Sequence, residues 1–391
     1  MADKAYITPK VLKWARETAR MYEETAADKV SVPVERLKEW EGEISQPTIR
    51  QAETLAKAYR RPFALFFLPE VPRDFQPLQD YRRKTAKPLG TASIFIMRDI
   101  QQKQAWAKDV FEENNEVPLS FVGRFSLNDN PAIVANDIIN TLQVYPPKYS
   151  IDSPIKEWID KAEAKGIFIS RTSFIHSRLT LDSKEIQGFA IADPYAPFVF
   201  VNSKDWNAPQ LFTLIHELAH IWIAESGVSS EIEPELKHKG GLHPVELFCN
   251  EVAANVLMPV EVMRNLDAAI FNSAKEVFKN SKILGVSTFA FIVRALNLQL
   301  IPLYKYRNLK NEADREFEAF LRSEEKKKAK QKKQEGGPNP YLLRLNKNSR
   351  LFTQIVLDAF RGGLIEPTQA SSLLNTQVNK FSKLEAQMYS V

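Results

Sequence analysis

The chain has 391 residues, 53 Lys and Arg against 48 Asp and Glu, one cysteine and 44% apolar residues. At roughly 150 residues per domain this length favours two or three domains, and the composition excludes collagen-like, coiled-coil and wholly disordered chains. A single cysteine excludes an internal disulfide, and the sequence lacks both an apolar signal core and a run of about 18 apolar residues. We therefore expect a cytoplasmic protein that does not bind membranes.

The first predicted domain, residues 1–70, is all-α. Five short helices are predicted within residues 8–69, with breaks at Ser31-Val32-Pro33 and Ser45-Gln46-Pro47. Two short helices divided by a tight turn and backed by further helices are typical of a helix-turn-helix domain.

The candidate recognition helix, residues 33–40, carries Arg36 and Lys38, but it is net negative once Glu41 and Glu43 are counted. Affinity for DNA depends largely on phosphate neutralisation, so this helix is a poor DNA reader by itself. Further candidate contacts to DNA or to a partner lie around the next helix start: Gln46, Thr48 and Arg50. Sequence-specific DNA binding and recognition of another helix-turn-helix protein, or self-association, both stay open.

Three further regions are predicted before the last domain. Residues 71–125 form a connector with one long helix, residues 126–305 form the central domain, and residues 306–337 form a charged linker. One tract of the linker, residues 322–333, has a net charge of +5, equal to that of the whole chain, since it holds one arginine and six lysines against two glutamates. We interpret this tract as a solvated helix, with a salt-dependent phosphate contact as the alternative.

Within the central domain, one small sheet and many helices are predicted. The predicted helices cover residues 131–142, 154–165, 209–225 and 244–257 and continue to about residue 297, and the predicted strands cover residues 166–170, a hairpin at 188–202 and residues 298–304. This mixture predicts an α+β fold. The hairpin either offers an exposed edge to an extended peptide or is simply buried.

The last predicted domain, residues 338–391, is helical. Amphipathic patterns predict helices at residues 349–360, 367–374 and 378–384.

The most informative segment is His216-Glu217-Leu218-Ala219-His220. In a helix, residues i and i+4 share one face, so both imidazoles can bind one ion. Imidazole suits Zn²⁺, and a catalytic site takes three protein ligands and keeps one position for water. Glu217 is then placed to accept the proton of that water as a general base. The alternative is a surface helix with two solvated histidines, but apolar flanks on nearly every side indicate a buried helix.

The third ligand is predicted on the helix at residues 244–257. Glu246 shares an apolar stripe with Cys249, whereas Glu251 lies on the more polar side beside Asn255. A carboxylate on a buried stripe needs a cation, so Glu246 is the better choice. The alternative is that Glu246 only stabilises the helix dipole in the first turn. Cys249 is interpreted as buried apolar filler rather than a nucleophile.

These segments, HELAHIW followed by VELFCNEVAANVLMP, resemble the ImmA/IrrE family of zinc metallopeptidases. The resemblance implies a zincin-like domain with His216, His220 and Glu246 as zinc ligands and Glu217 as general base. The segments WAR…ETAADKV…LKEWEGEISQPTIRQAETLAKAYRRPFALFFLP and FTQIVLDAFRGGLIEPTQASSLLN are similar to the helix-turn-helix domain and tail often fused to these peptidases.

A donor to the oxyanion of the tetrahedral intermediate is also needed. By residue type, His243, Tyr195, His176 and Arg178 are candidates, and their spacing does not choose among them.

Two functions remain open. The first, which the resemblance implies, is a zinc endopeptidase that cleaves a helix-turn-helix repressor in stress response or in prophage or mobile-element induction. The second is a DNA- or protein-binding regulator, such as an antitoxin, whose metal site is structural or sensory. An intact Glu217 distinguishes them, because a structural site needs no carboxylate beside the open coordination position.

Overall fold

The computed structural model describes residues 3–74, 77–82, 86, 88–176, 178–230, 232, 243–331 and 339–389. The chain forms two compact units. The first comprises Met1–Pro77, Lys87–Gln101 and Phe174–Leu181, and the second comprises Leu78–Ala86, Gln102–Ser173 and Asp182–Val391.

Most of the described residues are helical. The α-helices are α1 (Pro9–Thr18), α2 (Glu23–Lys29), α3 (Val34–Glu41), α4 (Ile49–Tyr59), α5 (Thr91–Glu113), α6 (Pro131–Leu142), α7 (Pro154–Ala164), α8 (Asn207–Trp222), α9 (Pro244–Leu257), α10 (Val260–Arg264), α11 (Ala274–Leu284), α12 (Thr288–Asn297), α13 (Leu303–Gln331), α14 (Pro340–Asn348), α15 (Arg350–Arg361), α16 (Pro367–Leu374) and α17 (Phe381–Tyr389). Single 3-10 turns cover Phe63–Phe67, Ala268–Asn272 and Val378–Lys380. Across the described residues, no helix is both long enough and apolar enough to span a lipid bilayer.

The first unit contains the five short helices predicted for residues 8–69, the last of them as the 3-10 turn. Helix α4 begins with a capping box, in which the Thr48 hydroxyl accepts from the Gln51 N–H and the Gln51 side chain accepts from the Thr48 N–H. A buried bidentate ion pair joins α1 to α3, with Arg16 Nε 2.7 Å from Glu41 Oε1 and Nη2 2.8 Å from Oε2. Such a pair fixes the orientation of both helices.

The second unit is built around a five-stranded sheet, which confirms the α+β prediction. Its strands are β1 (Gln79–Asp80), β2 (Phe168–Thr172), β5 (Gly188–Ile191), β6 (Phe198–Asn202) and β7 (Gly227–Ser229), in the order β1-β7-β5-β6-β2. The pairs β1–β7 and β2–β6 are parallel, and the other two are antiparallel. Strands β3 (Phe174–His176) and β4 (Leu179–Thr180) form a separate two-stranded sheet in the first unit.

The predicted hairpin forms, and of the two alternatives for its edges the structure shows the buried one. Strands β5 and β6 pair in antiparallel register from Gly188↔Val201 to Ile191↔Phe198. Strand β7 covers the outer side of β5, and β2 covers the outer side of β6. Both strands therefore lie inside the sheet, and neither can accept an added peptide strand. This burial explains their apolar sequences, since interior strands pack on both faces.

The prediction of a short strand over residues 298–304 is wrong. Residues 298–302 form a turn, and α13 begins at Leu303. Gln299 has a φ of 60°, which interrupts extended backbone. Pro302 follows, and it lacks the N–H that a strand needs while favouring a helix start. The conformational restriction at Pro302 therefore has a larger effect on the backbone here than the β-propensity of the leucines and the isoleucine before it.

The C-terminal helices belong to the second unit and contact β2 and α7 through buried polar groups. The Ser349 hydroxyl, at the start of α15, donates to Glu163 Oε1 at 2.6 Å, and the Arg350 N–H donates to the same oxygen at 3.0 Å. The Ser170 hydroxyl donates to the Lys347 carbonyl at 2.6 Å. Burial raises the pKa of Glu163 to about 7, although its hydrogen bonds to Ser349 and neighbouring N–H groups oppose this shift.

This raised pKa makes the stability of the second unit pH-dependent. A carboxyl group whose pKa rises on folding stabilises fully below its unfolded pKa, and this contribution is lost as the pH rises through about 7. Replacing Glu163 by Gln, which keeps the acceptor oxygen, should remove this loss. We expect equal thermal stability of the two proteins near pH 4, and a wild type that is less stable by about 3 kcal/mol near pH 8. Parallel pH profiles of the two melting temperatures would show that Glu163 does not titrate in this way.

Candidate metal centre

Helix α8 places two histidines of the second unit on one face. All residues from Gln210 to Trp222 are buried, as the apolar flanks predict. The imidazoles of His216 and His220, one helical turn apart, have their Nε2 atoms 3.2 Å from each other. Two ring nitrogens at this distance need either a proton or a cation between them.

Helix α9 brings Glu246 to the same point. Its first turn follows His243 at the N-cap and Pro244 at the first helical position. Glu246 Oε2 lies 3.4 Å from His216 Nε2, and Oε1 lies 3.3 Å from His220 Nε2. The carboxylate is buried on the stripe with Cys249, whereas Glu251 is exposed. The structure therefore brings together the two histidines and the carboxylate that the sequence favoured.

Hydrogen bonds to the far side of each ring select its tautomer. His216 Nδ1 lies 2.9 Å from Asn250 Oδ1, and His220 Nδ1 lies 3.1 Å from the Glu225 carbonyl oxygen. Since both partners are acceptors, each Nδ1 carries the proton, and each Nε2 presents a lone pair. The same arrangement orients metal-bound histidines in proteins and makes them better ligands.

The spacing of the three side chains suits a metal ion. Neighbouring ligands of a tetrahedral ion at about 2.0–2.1 Å lie about 3.3–3.4 Å apart. The two Nε2 atoms lie 3.2 Å apart, His216 Nε2 lies 3.4 Å from Glu246 Oε2, and His220 Nε2 lies 3.3 Å from Glu246 Oε1, so each of these contacts is close to that spacing. Among the described residues, this is the one group of three or more metal-ligating side chains that could hold an ion.

The electrostatics of the centre favour the ligand forms. Burial lowers the pKa of His220, with Glu246 opposing, so the ring is neutral at pH 7. Burial raises the pKa of Glu246, but the contacts of its carboxyl group with His216 and His220 lower this pKa by a larger amount. The net pKa of Glu246 therefore lies below its ordinary value. The Ser229 hydroxyl on β7 donates to Glu246 Oε1 at 3.2 Å and holds the carboxylate in place.

Glu217 lies beside the three ligands. Its side chain is fully buried, and neither oxygen lies within normal hydrogen-bond distance of a donor among the described residues. Burial and then the charge of Glu246 raise its pKa, and the nearby Ser229 hydroxyl opposes this shift. Gly188 on β5 makes room for it, since a Cβ there would lie 2.6 Å from Glu217 Oε1. A buried carboxyl group without a partner is costly, and such groups are typical of functional sites.

Two side chains that the sequence did not indicate complete the surroundings. Strand β7 has too few residues to show the alternation of a strand, so the sequence did not place Ser229 near the metal ligands. Tyr81, next to β1, packs on His220 with ring centroids 5.6 Å apart and an angle of 21°. Asn250, by contrast, lies one turn after Glu246 on the same buried stripe, where helical spacing places it.

The predicted oxyanion donors lie in different places. His243 caps α9, and its ring centroid lies 4.9 Å from that of Tyr81. Tyr195 is in the turn between β5 and β6, beyond Ile191 and so at the opposite end of β5 from Gly188. His176 and Arg178 belong to the first unit.

The predicted DNA or partner contacts are in the first unit. Arg36 pairs with Glu39 at 2.6 Å, and Lys38 pairs with Glu23 at 3.3 Å. The Gln46 side chain accepts from the Ile7 N–H at 3.2 Å, and Thr48 caps α4. Arg50 is exposed.

The hydrogen bond from His216 to Asn250 gives a first test of the centre. Removing a partner that orients a ligand typically weakens metal binding by about 10- to 100-fold. We expect this loss of zinc affinity in Asn250→Ala, measured by competition with a chelator. In Asn255→Ala, which changes the same helix away from the ligands, the affinity should stay at the wild-type value. Equal affinities in both variants would mean that Asn250 does not orient His216.

Residues 162–296 match the sequence model of the IrrE N-terminal-like domain, peptidase family M78. The match begins in α7 and ends in α12, so it contains α8, α9 and strands β2, β5, β6 and β7. No curated protein matches the chain. The family match supports an ImmA/IrrE-type metallopeptidase domain over residues 162–296, with a buried His-His-Glu group that can hold a metal ion.

Proposed function

We propose that the protein is a zinc-dependent endopeptidase that cleaves a repressor-like regulatory protein. One observation carries the proposal: two imidazoles with their Nδ1 protons engaged elsewhere direct both Nε2 atoms and a carboxylate at one point. Nitrogen and oxygen ligands in this number are typical of catalytic zinc, which takes three protein ligands and leaves a fourth position open.

The residues divide the chemistry among them. His216, His220 and Glu246 hold the ion, and Asn250, Ser229 and the Glu225 carbonyl orient them. Zn²⁺ in this site would polarise the scissile carbonyl group and make a water molecule more acidic.

Glu217 accepts the proton of the attacking water and passes it to the leaving amine. Its two oxygens have no partner among the described residues and are therefore available for this transfer.

The first unit is proposed to recognise the substrate rather than DNA. The basic side chains of α3, Arg36 and Lys38, are both paired with glutamates, which reduces their use for phosphate neutralisation. A helix-turn-helix repressor as substrate follows from the sequence resemblance and is compatible with a unit that docks proteins.

The test uses the purified zinc-loaded protein and the transcription regulators encoded beside it. We expect a defined cut in one regulator, which disappears with a chelator and returns when zinc is added. A regulator that stays intact while zinc is bound at one ion per chain would contradict this substrate class. Binding of a DNA fragment in a separate arm, with a steep salt dependence, would favour the regulator hypothesis for the first unit.

A further inference from the structure

The metal centre is closed to solvent in this conformation. His216, Glu217 and His220 have a relative exposure of 0%, and Glu246 has 1%. A peptidase of the proposed kind must admit water and a polypeptide to these groups. Some part of the structure must therefore move, and the described residues around the centre indicate which part.

Strand β7 lies along the centre. The Ser229 hydroxyl on this strand bonds to Glu246, and the Glu225 carbonyl just before it bonds to His220. One edge of β7 pairs with β5, and the other edge pairs with the two-residue strand β1. The β1 edge is the position where an extended polypeptide would lie beside the metal ligands.

Residues 79–82 occupy that edge. Gln79 and Asp80 are in register with Gly227 and Val228, and the Tyr81 N–H donates to the Val228 carbonyl at 3.2 Å. An edge offers one row of N–H and C=O groups, so β1 and an added peptide strand exclude each other. Both β1 residues are exposed, and the strand has only two residues, so its ladder is short. The segment is held mainly by the side chains that follow the ladder, because Arg82 Nη1 donates to the Glu185 carbonyl at 3.3 Å and Tyr81 is buried.

Tyr81 is the main anchor of this segment. Its ring is 4% exposed, packs on His220, and its hydroxyl donates to Glu225 Oε2 at 2.6 Å. Gly227 makes this packing possible, because a Cβ there would lie 2.2 Å from Tyr81 Cε2. Tyr81 therefore contacts His220 directly through its ring and indirectly through Glu225, whose carbonyl oxygen accepts from His220 Nδ1.

We propose that residues 79–82 form an intramolecular lid strand, anchored by Tyr81, which blocks the β7 edge and must leave before an extended polypeptide reaches the centre. The inference rests on the proposed function, since it concerns access to the same centre. Release of the lid exposes His220 and the edge of β7 together, so substrate access and strand pairing are coupled.

The test measures access in the full-length protein loaded with zinc. Two variants release the lid from opposite sides: Tyr81→Ala removes the anchor, and Gly227→Ala fills the space under the ring. Tyr304→Ala, which removes an exposed tyrosine of α13, is the matched control. Two quantities are measured. One is the rate of zinc transfer to an excess of a chromogenic pyridylazo chelator, and the other is the amide hydrogen exchange of Val228, whose backbone carbonyl accepts from the Tyr81 N–H of the lid.

We expect both lid variants to release zinc at least about tenfold faster than wild type and to exchange faster at β7, with the bound zinc still at one ion per chain. The control should match wild type. Unchanged rates in both lid variants would overturn the proposal. Loss of zinc at equilibrium would also overturn it, because Tyr81 would then only support His220. A wild type that binds no zinc contradicts the proposed function instead, while the exchange at β7 still reports on the lid.

Discussion

Replacement of Glu217 by Gln is expected to leave zinc bound and to reduce cleavage by about 10²- to 10⁴-fold, the range that general-base catalysis contributes. Glutamine has the size of glutamate, so it fits the space that Gly188 leaves beside β5. It cannot accept the proton of the attacking water. The measurements are zinc content by elemental analysis and the rate of cleavage of the regulator at saturating enzyme.

Glu251→Gln is the matched control, since it makes the same chemical change on an exposed position of α9. This variant should keep both zinc and activity. Undiminished proteolysis by Glu217→Gln would reject Glu217 as the general base. If the metal site were structural or sensory, wild type and both variants would bind zinc, because neither change removes a ligand, and none of the three would cleave the regulator.

Replacement of Glu246 by Ala should remove most of the bound zinc. The variant loses the only anionic ligand and leaves two buried neutral imidazoles whose Nε2 atoms lie 3.2 Å apart. We expect zinc affinity to fall by at least about 100-fold, more than for a residue that only orients a ligand. Metal analysis after dialysis against a weak chelator measures the change, together with melting curves with and without zinc.

Glu251→Ala should bind zinc like wild type, because its side chain is exposed and outside the ligand group. The reverse result, with zinc lost in Glu251→Ala and kept in Glu246→Ala, would show that the other carboxylate is the ligand. Zinc should also protect wild type against thermal unfolding, since a ligand that binds only the folded state stabilises it. In Glu246→Ala this protection should be absent.

The helices and the three candidate ligands could be predicted from the order of the amino acids. Histidines at positions i and i+4 share a helix face wherever the helix lies, and the apolar residues around them predict burial. Glu246 could be preferred to Glu251 because helical periodicity alone places it on the buried stripe. These features depend on local backbone geometry, which short sequence patterns encode directly.

Which strands form the edges of the sheet, and which side chains surround the ligands, could not be predicted in this way. Strands β1 and β7 are too short to show a pattern, and they pair across more than a hundred residues of chain. The pairing of β7 with β5 places β5 inside the sheet and brings Ser229 to Glu246, and the pairing of β1 with β7 sets Tyr81 on His220. Such contacts depend on the packing of distant segments against one another, and a pattern read along the chain does not contain this information.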